Sequence, residues 1–447
     1  MGKLFGTDGV RGIANTELSA DLALKLGSAA AYVLRKKHRG AKMLIGRDPR
    51  ISGDILESAM AAGICSLGVD VYLTGVIPTP AVAFLSSLMH ADAGIVISAS
   101  HNPMRDNGIK FFGGDGYKLN DDIEAEIEEQ MGNYDRMPRP EGSGVGRMFH
   151  AKDLADNYLD HLKRTFPYSL KGQRIVLDCA NGAVYDIAPK LFHELGASVT
   201  TLNDHPDGTN INLSCGSMYP QALQELVMRE RAHIGLAFDG DGDRAILVDE
   251  KGRTVDGDHV IAICGLHLAS KNALPNKAVV AAVMSNIGLE VALRQGGISL
   301  VRAQVGDRNV SDEMRKTGIG LGGEKSGHII FSNISTTGDG LATALQVLTV
   351  MVESGRPLSE LAGQMQEFPQ LLINVPVTDK DAWEAIPTVT NAIKAGEDRL
   401  TGRGRVFVRA SGTEKLVRVM AEGPDLRELE EITAAICGEI KRFLGAA

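Results

Sequence analysis

The chain has 447 residues, 44% of them hydrophobic and 23% charged, which excludes a disordered or fibrous protein and predicts about three or four folded domains. A net charge of −9 and only 5% aromatics exclude a general nucleic-acid binder and a base-stacking platform, while a local basic pocket for a small anion stays open. Five scattered cysteines, Cys65, Cys179, Cys215, Cys264 and Cys437, form no C-x-x-C pair, which fits a reducing compartment and gives no zinc site. No apolar run approaches membrane length and the opening "MGKLFGTDGV" has no signal-like core, so a cytoplasmic location with no membrane partner is expected.

Helical and strand periods alternate from the start. Residues 19–36 place Leu22, Leu26, Ala29, Ala30 and Val33 on one helical face, with Ser19 as N-cap. "KMLIG" (42–46), "VDVYLTG" (69–75) and "AGIVIS" (93–98) have strand length, and 52–67 predicts a helix capped by Ser52. "MPRPEGSGVG" (137–146) reads as a linker. The pattern restarts with strands at 173–179, 197–203 and 233–238 around helices at 184–195 and 220–231. It restarts again with strands at 277–284, 298–305 and 318–323, helices at 287–294 and 308–317, and flanking helices at 258–270 and 338–353. The last seventy or so residues read as strand, helix, two close strands and an amphipathic helix at 425–443. Such alternation predicts mostly parallel sheets covered on both faces. The expected fold is three similar mixed-sheet α/β domains, 1–150, 151–252 and 253–368, then a small α+β domain, 369–447, around one central cleft.

In each restart the third strand runs into a polar loop: "GIVISASHNP", "IGLAFDGDGDR" and "IGLGGEKSGH". These are read as diverged internal repeats, and ligands of parallel sheets bind beyond the carboxyl ends of strands. The first loop displays Ser100, either as a nucleophile or as part of an ordinary polar turn. The second sets Asp239, Asp241 and Asp243 at alternating positions, where carboxylates repel unless a hard cation such as Mg²⁺ or Ca²⁺ lies among them. An EF-hand is disfavoured although Glu250 falls at its twelfth position, because Arg244 stands where that turn needs glycine and both flanks read as strands. The third loop offers Glu324, Ser326 and His328 for sugar hydroxyls or an amine, a core histidine being the commoner alternative. "RASGTEKLVR" carries Arg409, Ser411, Gly412, Thr413 and Arg418, a set of donors suited to phosphate. Arg11, Arg47 and Lys110 add cations that favour phosphate chemistry near Ser100.

"SASHNP", "DGDGDR", "GEKSGH" and "RASGTE" stand in the order and approximate spacing of the α-D-phosphohexomutases, and the chain resembles that family end to end. The resemblance implies that Ser100 carries a phosphoryl group and that Asp239, Asp241 and Asp243 hold one Mg²⁺ together with a phosphoserine oxygen. Arg11, His101, Lys110 and His328 then belong to the catalytic set around the reacting phosphate. Arg244, Glu324 and Ser326 meet the substrate, and Arg409, Ser411, Gly412, Thr413 and Arg418 grip the phosphate that is not reacting. "FGTDGVRG", "PDGTNIN" (206–212) and "RVMAEG" imply glucosamine 6-phosphate and glucosamine 1-phosphate as the sugar pair, with the 1,6-bisphosphate as intermediate and activator. Lys325 and Lys415 depart from the family pattern, and Lys325 bears on sugar preference. A glucose- or mannose-phosphate mutase of the same fold and a non-catalytic sugar-phosphate binder are the rival readings. A homodimer is one assembly left open.

Overall fold

The computed structural model describes residues 4–6, 8–35, 40–411 and 414–445, and the structural statements below concern these. Gly412 and Thr413 of the expected phosphate loop therefore lie outside the described residues.

The first sheet grows from β1 (Val10–Ile13), β2 (Lys42–Arg47), β3 (Asp70–Val76), β4 (Ala93–Ile97), β5 (Asp106–Gly113) and β6 (Met148–His150), with α1 (Ala20–Leu34), α2 (Gly53–Cys65), α3 (Thr79–Leu88) and α4 (Asp121–Met131) between them. Its order is β1-β5-β4-β2-β3-β6; β2 runs parallel to β3 and β4, and β5 is antiparallel to both β4 and β1. All five residues of β4 are buried, as expected for an interior strand whose two faces are both covered.

The arrangement then repeats. After α5 (Leu154–Arg164) come β7 (Arg174–Asp178), α6 (Ile187–Glu194), β8 (Ser198–Leu202), α7 (Gln221–Glu230), β9 (Ile234–Phe238), β10 (Ala245–Asp249) and β11 (Thr254–Val255), in sheet order β11-β10-β9-β7-β8. After α8 (Gly257–Ser270) come β12 (Ala278–Ala282), α9 (Ile287–Gln295), β13 (Ser299–Ala303), α10 (Asp307–Thr317), β14 (Leu321–Gly323) and β15 (Ile329–Phe331), in order β13-β12-β14-β15. All three sheets share one motif: three parallel strands with the first in the middle, then an antiparallel fourth hairpinned onto the third. Weak sequence similarity thus corresponds to the same topology used three times, and the polar loops are the three connections from third to fourth strand.

α11 (Gly340–Ser354) and α12 (Leu358–Ala362) complete this compact unit, which comprises Met1–Met284 and Ile298–Gln364. A second unit comprises Ser285–Gly297, which carries α9, and Met365–Ala447. It contains β16 (Gln370–Pro376), α13 (Pro387–Leu400), β17 (Arg405–Ala410), β18 (Leu416–Glu422) and α14 (Leu426–Leu444), with an antiparallel sheet ordered β16-β18-β17. The apolar stripe of α14 supplies Leu429, Ile436 and Ile440 to a core with Val375, Val417 and Val419.

Ser19 caps α1 as expected, its side chain accepting the Leu22 N–H. Ser52 does not cap α2: its backbone is already helical, it makes no side-chain cap, and its hydroxyl accepts from Asn107 Nδ2 at 2.9 Å. The expected linker at 137–146 ends with the Gly146 N–H on Cys65 O, and β6 then joins the edge of the first sheet beside β3. Among the described residues no helix is long and apolar enough to cross a membrane.

Candidate active site

Ser100 stands just beyond the carboxyl end of β4, almost wholly buried, with a left-handed backbone at φ 52°. Its Oγ donates to Asp239 Oδ2 at 2.6 Å, and His101 Nδ1 lies 3.3 Å from the same hydroxyl. Asp239 follows β9, so the loops after the third strands of the first two repeats meet here. Their approach is close: a Cβ on Gly240 would lie 2.5 Å from Ser100 O, so only glycine fits.

Asp239, Asp241 and Asp243 are all buried, and one oxygen from each lies within 4.8 Å of the others. Burial pushes the Asp239 pKa well up, and the charges of Asp243 and Asp241 push the same way. Burial also acts to raise Asp243, but His328 and Lys110 override it and hold that carboxyl below its usual range. Asp241 Oδ1 and Asp243 Oδ1 are buried without a hydrogen-bond partner. Unpaired buried carboxylate oxygens are costly, and a hard cation would satisfy them; the residues therefore fit a metal ion.

Lys110 on β5 supplies the nearest protein cation. Its buried Nζ is 2.9 Å from Asp241, 3.2 Å from Asp8 and 3.9 Å from Asp243. Burial favours the neutral amine, but Asp241, Asp8 and Asp243 outweigh it and raise the pKa, so Lys110 stays charged. Thr79, at the start of α3, donates to Asp241 Oδ2 at 2.7 Å. Arg11 on β1 is ion-paired with Asp8. Arg244 donates its N–H to Asp239 Oδ1 at 3.2 Å, and its Nε lies 3.7 Å from Asp243 Oδ1. Burial, with Arg244 and Arg11, lowers the His101 pKa to about 4, so this ring is neutral at pH 7.

From the third repeat, His328 Nδ1 comes within 3.5 Å of Asp243 Oδ2, and Nε2 accepts the Gly338 N–H at 3.0 Å. Burial disfavours a charge on this ring while Asp243 favours it, and Asp243 prevails to raise the pKa. The Gly338 N–H nevertheless requires an unprotonated Nε2. This hydrogen bond decides the assignment: a neutral ring with its proton on Nδ1, facing Asp243. Glu324 Oε1 accepts the Gly306 N–H at 3.0 Å, the Ser326 hydroxyl is buried without a partner, and Lys325 lies 3.6 Å from Asp256.

In the second unit, Arg409 on β17 and Arg418 on β18 are direct cross-strand partners. The Nε of each is buried without a hydrogen bond, while Arg418 Nη2 lies 3.7 Å from Glu414. Burial and the charge of Arg418 lower the Arg409 pKa. Ser411, also buried, donates its N–H to Leu416 O at 2.9 Å and accepts Lys380 Nζ on its carbonyl at 2.7 Å.

Several contributors carry no sequence signal of their own. Asp8 bridges Lys110 and Lys118, and Lys118 reaches on to Asp307 at 2.5 Å. These residues are remote in sequence and no short spacing links them. Within "GRDPR" the expectation fell on Arg47, which turns instead to Asp54 (2.5 Å) and Glu57 (3.5 Å); Arg50 is the one that reaches the serine loop.

Comparison with known proteins places these features in a family. Models of the phosphoglucomutase/phosphomannomutase family match in chain order: α/β/α domain I over 2–137, domain II over 156–252, domain III over 256–368 and the C-terminal domain over 372–439. A phosphoglucosamine mutase of Desulforamulus reducens is 52% identical over 98% of this chain and 100% of that protein. The phosphoglucosamine mutase of Pelotomaculum thermopropionicum is 54% identical over 99% and 100%. Among solved structures, a phosphoglucomutase/phosphomannomutase family protein of Burkholderia thailandensis superposes with a TM-score of 0.83 at 25% identity, covering 98% of this chain and 97% of that one. The Aspergillus fumigatus N-acetylphosphoglucosamine mutase, solved with GlcNAc-6P and magnesium, shares the fold at a TM-score of 0.69 and 18% identity, over 98% and 95% of the two chains. The chain belongs to the phosphoglucomutase/phosphomannomutase family of α-D-phosphohexomutases, isomerases that move a phosphoryl group between positions on a sugar.

Proposed function

We propose that this phosphohexomutase interconverts glucosamine 6-phosphate and glucosamine 1-phosphate through a phosphorylated Ser100 and glucosamine 1,6-bisphosphate. The observation that carries the chemistry is the buried Ser100 hydroxyl, 2.6 Å from one carboxylate of a triad with two unpaired oxygens. The choice of sugar rests on full-length relatives at 50–54% identity that bear the name phosphoglucosamine mutase.

Asp239, Asp241 and Asp243 are the residues that would hold Mg²⁺, and a bound divalent cation there would offset negative charge on the transferring phosphoryl group. In the forward direction the P–O bond to Ser100 Oγ breaks as a bond from sugar O1 to phosphorus forms. The O1 proton leaves to a base and Ser100 Oγ is reprotonated. The bisphosphate then turns over; its O6–P bond breaks as Ser100 Oγ bonds to phosphorus, the Oγ proton leaves to a base and O6 is protonated. Lys110, Arg11 and Arg244 surround the transferring group with positive charge. His101 and His328 stand beside it as neutral rings able to hold or pass a proton. Glu324 and Ser326 take sugar hydroxyls or the amine, and Arg409, Ser411, Gly412, Thr413 and Arg418 grip the other phosphate. Domain limits near 150, 252 and 368, a cytoplasmic location and a role in supplying amino-sugar nucleotides for cell-wall precursors accompany this reading.

A coupled assay with glucosamine, glucose and mannose 6-phosphates, with and without a chelator, tests it. The expected result is the highest kcat/KM for glucosamine 6-phosphate and loss of turnover on chelation. Faster turnover of glucose or mannose 6-phosphate would reassign the sugar.

A further inference from the structure

The segment "PDGTNIN" (206–212) supplies none of the side chains assigned to the chemistry above, yet it is heavily braced. Asp207 Oδ1 accepts the N–H groups of Thr209 and Asn210 at 2.7 and 3.0 Å and the Thr209 hydroxyl at 2.8 Å. Asn210 returns a bond to the Asp207 N–H at 3.0 Å and donates to His205 O at 3.0 Å. The segment is tied to the first repeat by the Ile51 N–H on Gly208 O at 2.9 Å. What this bracing delivers is Asn212, whose Nδ2 donates to Ser100 O at 2.8 Å and Asn102 O at 3.0 Å.

The same two carbonyls are gripped by Arg50. Its Nη2 donates to Ser100 O at 3.0 Å and Asn102 O at 2.8 Å, and its Nη1 to Pro103 O at 2.5 Å and Asp106 O at 3.0 Å. Nε completes the set on Asp48 Oδ2 at 2.9 Å, so every N–H direction of this fully buried guanidinium is used; three of the five bonds hold the serine loop and a fourth holds Asp106, the first residue of β5. Asp48 in turn accepts the Ser98 hydroxyl at 2.5 Å, and Ser98 Oγ accepts the Ser100 N–H at 2.9 Å. Both backbone polar groups of Ser100 are therefore fixed. The left-handed backbone of a non-glycine residue is unfavourable, and surrounding contacts must hold it.

We propose that Arg50 and Asn212 are positioning residues: one from each of the first two repeats, they lock the Ser100 carbonyl and so aim its Oγ at Asp239. The 206–212 segment is the strut that holds Asn212 in place. This inference rests on the reading that Ser100 carries the phosphoryl group. Neither residue touches the reacting atoms, so the effect is on transfer rate rather than on substrate affinity. Misplacing a reacting group by about 1 Å can cost about a hundredfold in rate.

Asn212→Asp exchanges the amide donor for an oxygen facing two carbonyls at nearly unchanged volume, and Asn212→Ala deletes the donor without adding repulsion. Arg50→Lys is the companion variant, and the Asn212 pair decides the question should Arg50→Lys not fold. Each protein is phosphorylated on Ser100, confirmed by peptide mass spectrometry, and single-turnover transfer to glucosamine 6-phosphate is measured beside steady-state kcat, KM and Tm. The expected result is a transfer rate and kcat lowered roughly tenfold to a hundredfold in Asn212→Asp, less in Asn212→Ala, with KM changed by less than about threefold. A purely structural role would lower Tm while leaving the transfer rate per folded molecule at the wild-type value, and that outcome overturns the proposal. If wild-type enzyme carries no phosphate on Ser100, or Ser100→Ala still turns over, the underlying reading fails instead.

Discussion

Arg409 and Arg418 make opposite demands on stability and on function, which gives Arg418→Gln a two-signed prediction. The two guanidinium groups sit directly across β17 and β18, each with a buried unpaired Nε, and the pKa of Arg409 is lowered by burial and by its neighbour's charge. Like charges directly opposite on a sheet destabilise it, on the scale of about 0.2–1 kcal/mol. Glu414, 3.7 Å from Arg418 and largely exposed, offsets little of this. Replacing Arg418 by Gln should therefore leave the second unit unchanged or up to about 1 kcal/mol more stable. On the proposed reading the same change removes a charge-assisted bond to a phosphate, worth about 1.5–3 kcal/mol, or roughly ten- to a hundredfold in kcat/KM. In the proposed cycle the bisphosphate presents either phosphate to this grip, so the loss should be equal from glucosamine 6-phosphate and from glucosamine 1-phosphate. Added glucosamine 1,6-bisphosphate should partly restore the rate by replacing escaped intermediate. Calorimetry and kcat/KM in both directions supply the numbers. A variant that is less stable yet fully active would refute the reasoning, and a defect confined to one direction would refute the shared grip.

Lys110→Met leaves Asp241, Asp8 and Asp243 without their buried ammonium; removing one partner of such a pair costs about 3–5 kcal/mol, so thermal denaturation should show a marked loss that Mg²⁺ partly reverses. Ser100→Gly and Ser100→Ala should both abolish turnover and both lose the bond to Asp239, with the Gly variant about 1 kcal/mol the more stable because glycine accepts φ 52° without strain; equal stability of the two would show that Ser100 is not strained. Burial pushes the Asp339 pKa up to about 6, above the ordinary 3.8, despite bonds from the Ala342 N–H and the Tyr158 hydroxyl. The folded chain thus holds this proton more tightly than the unfolded chain, so the stability it contributes is complete below about pH 4 and is lost as pH rises through 6. Unfolding of wild type and Asp339→Asn compared from pH 4 to pH 7 should show the gap moving in favour of Asn as pH rises, and a constant gap would count against the shifted proton.

The alternation of elements, the threefold restart and the positions of the chemical loops are legible in the amino-acid order alone, because these are local properties. An interior strand such as β4 or β9 reads as an unbroken apolar run, and a glycine-spaced row of aspartates stands out without any partner. The short edge strand β6, the antiparallel fourth strands and the cap of α2 were less legible, since each is settled by a partner far along the chain: β3 for β6, and Asn107 for the hydroxyl of Ser52. The same limit governs the candidate site. Ser100, the three aspartates, Lys110 and His328 announce themselves by motif, whereas Asp8, Arg50, Lys118 and Asn212 acquire meaning only from what they face. Charge networks and carbonyl clamps depend on distances of about 3 Å between segments a hundred residues apart, and no spacing along a chain encodes those distances. That Arg50 rather than Arg47 reaches the serine loop emerges from the folded chain, because the two differ in which way a turn points them and not in chemistry.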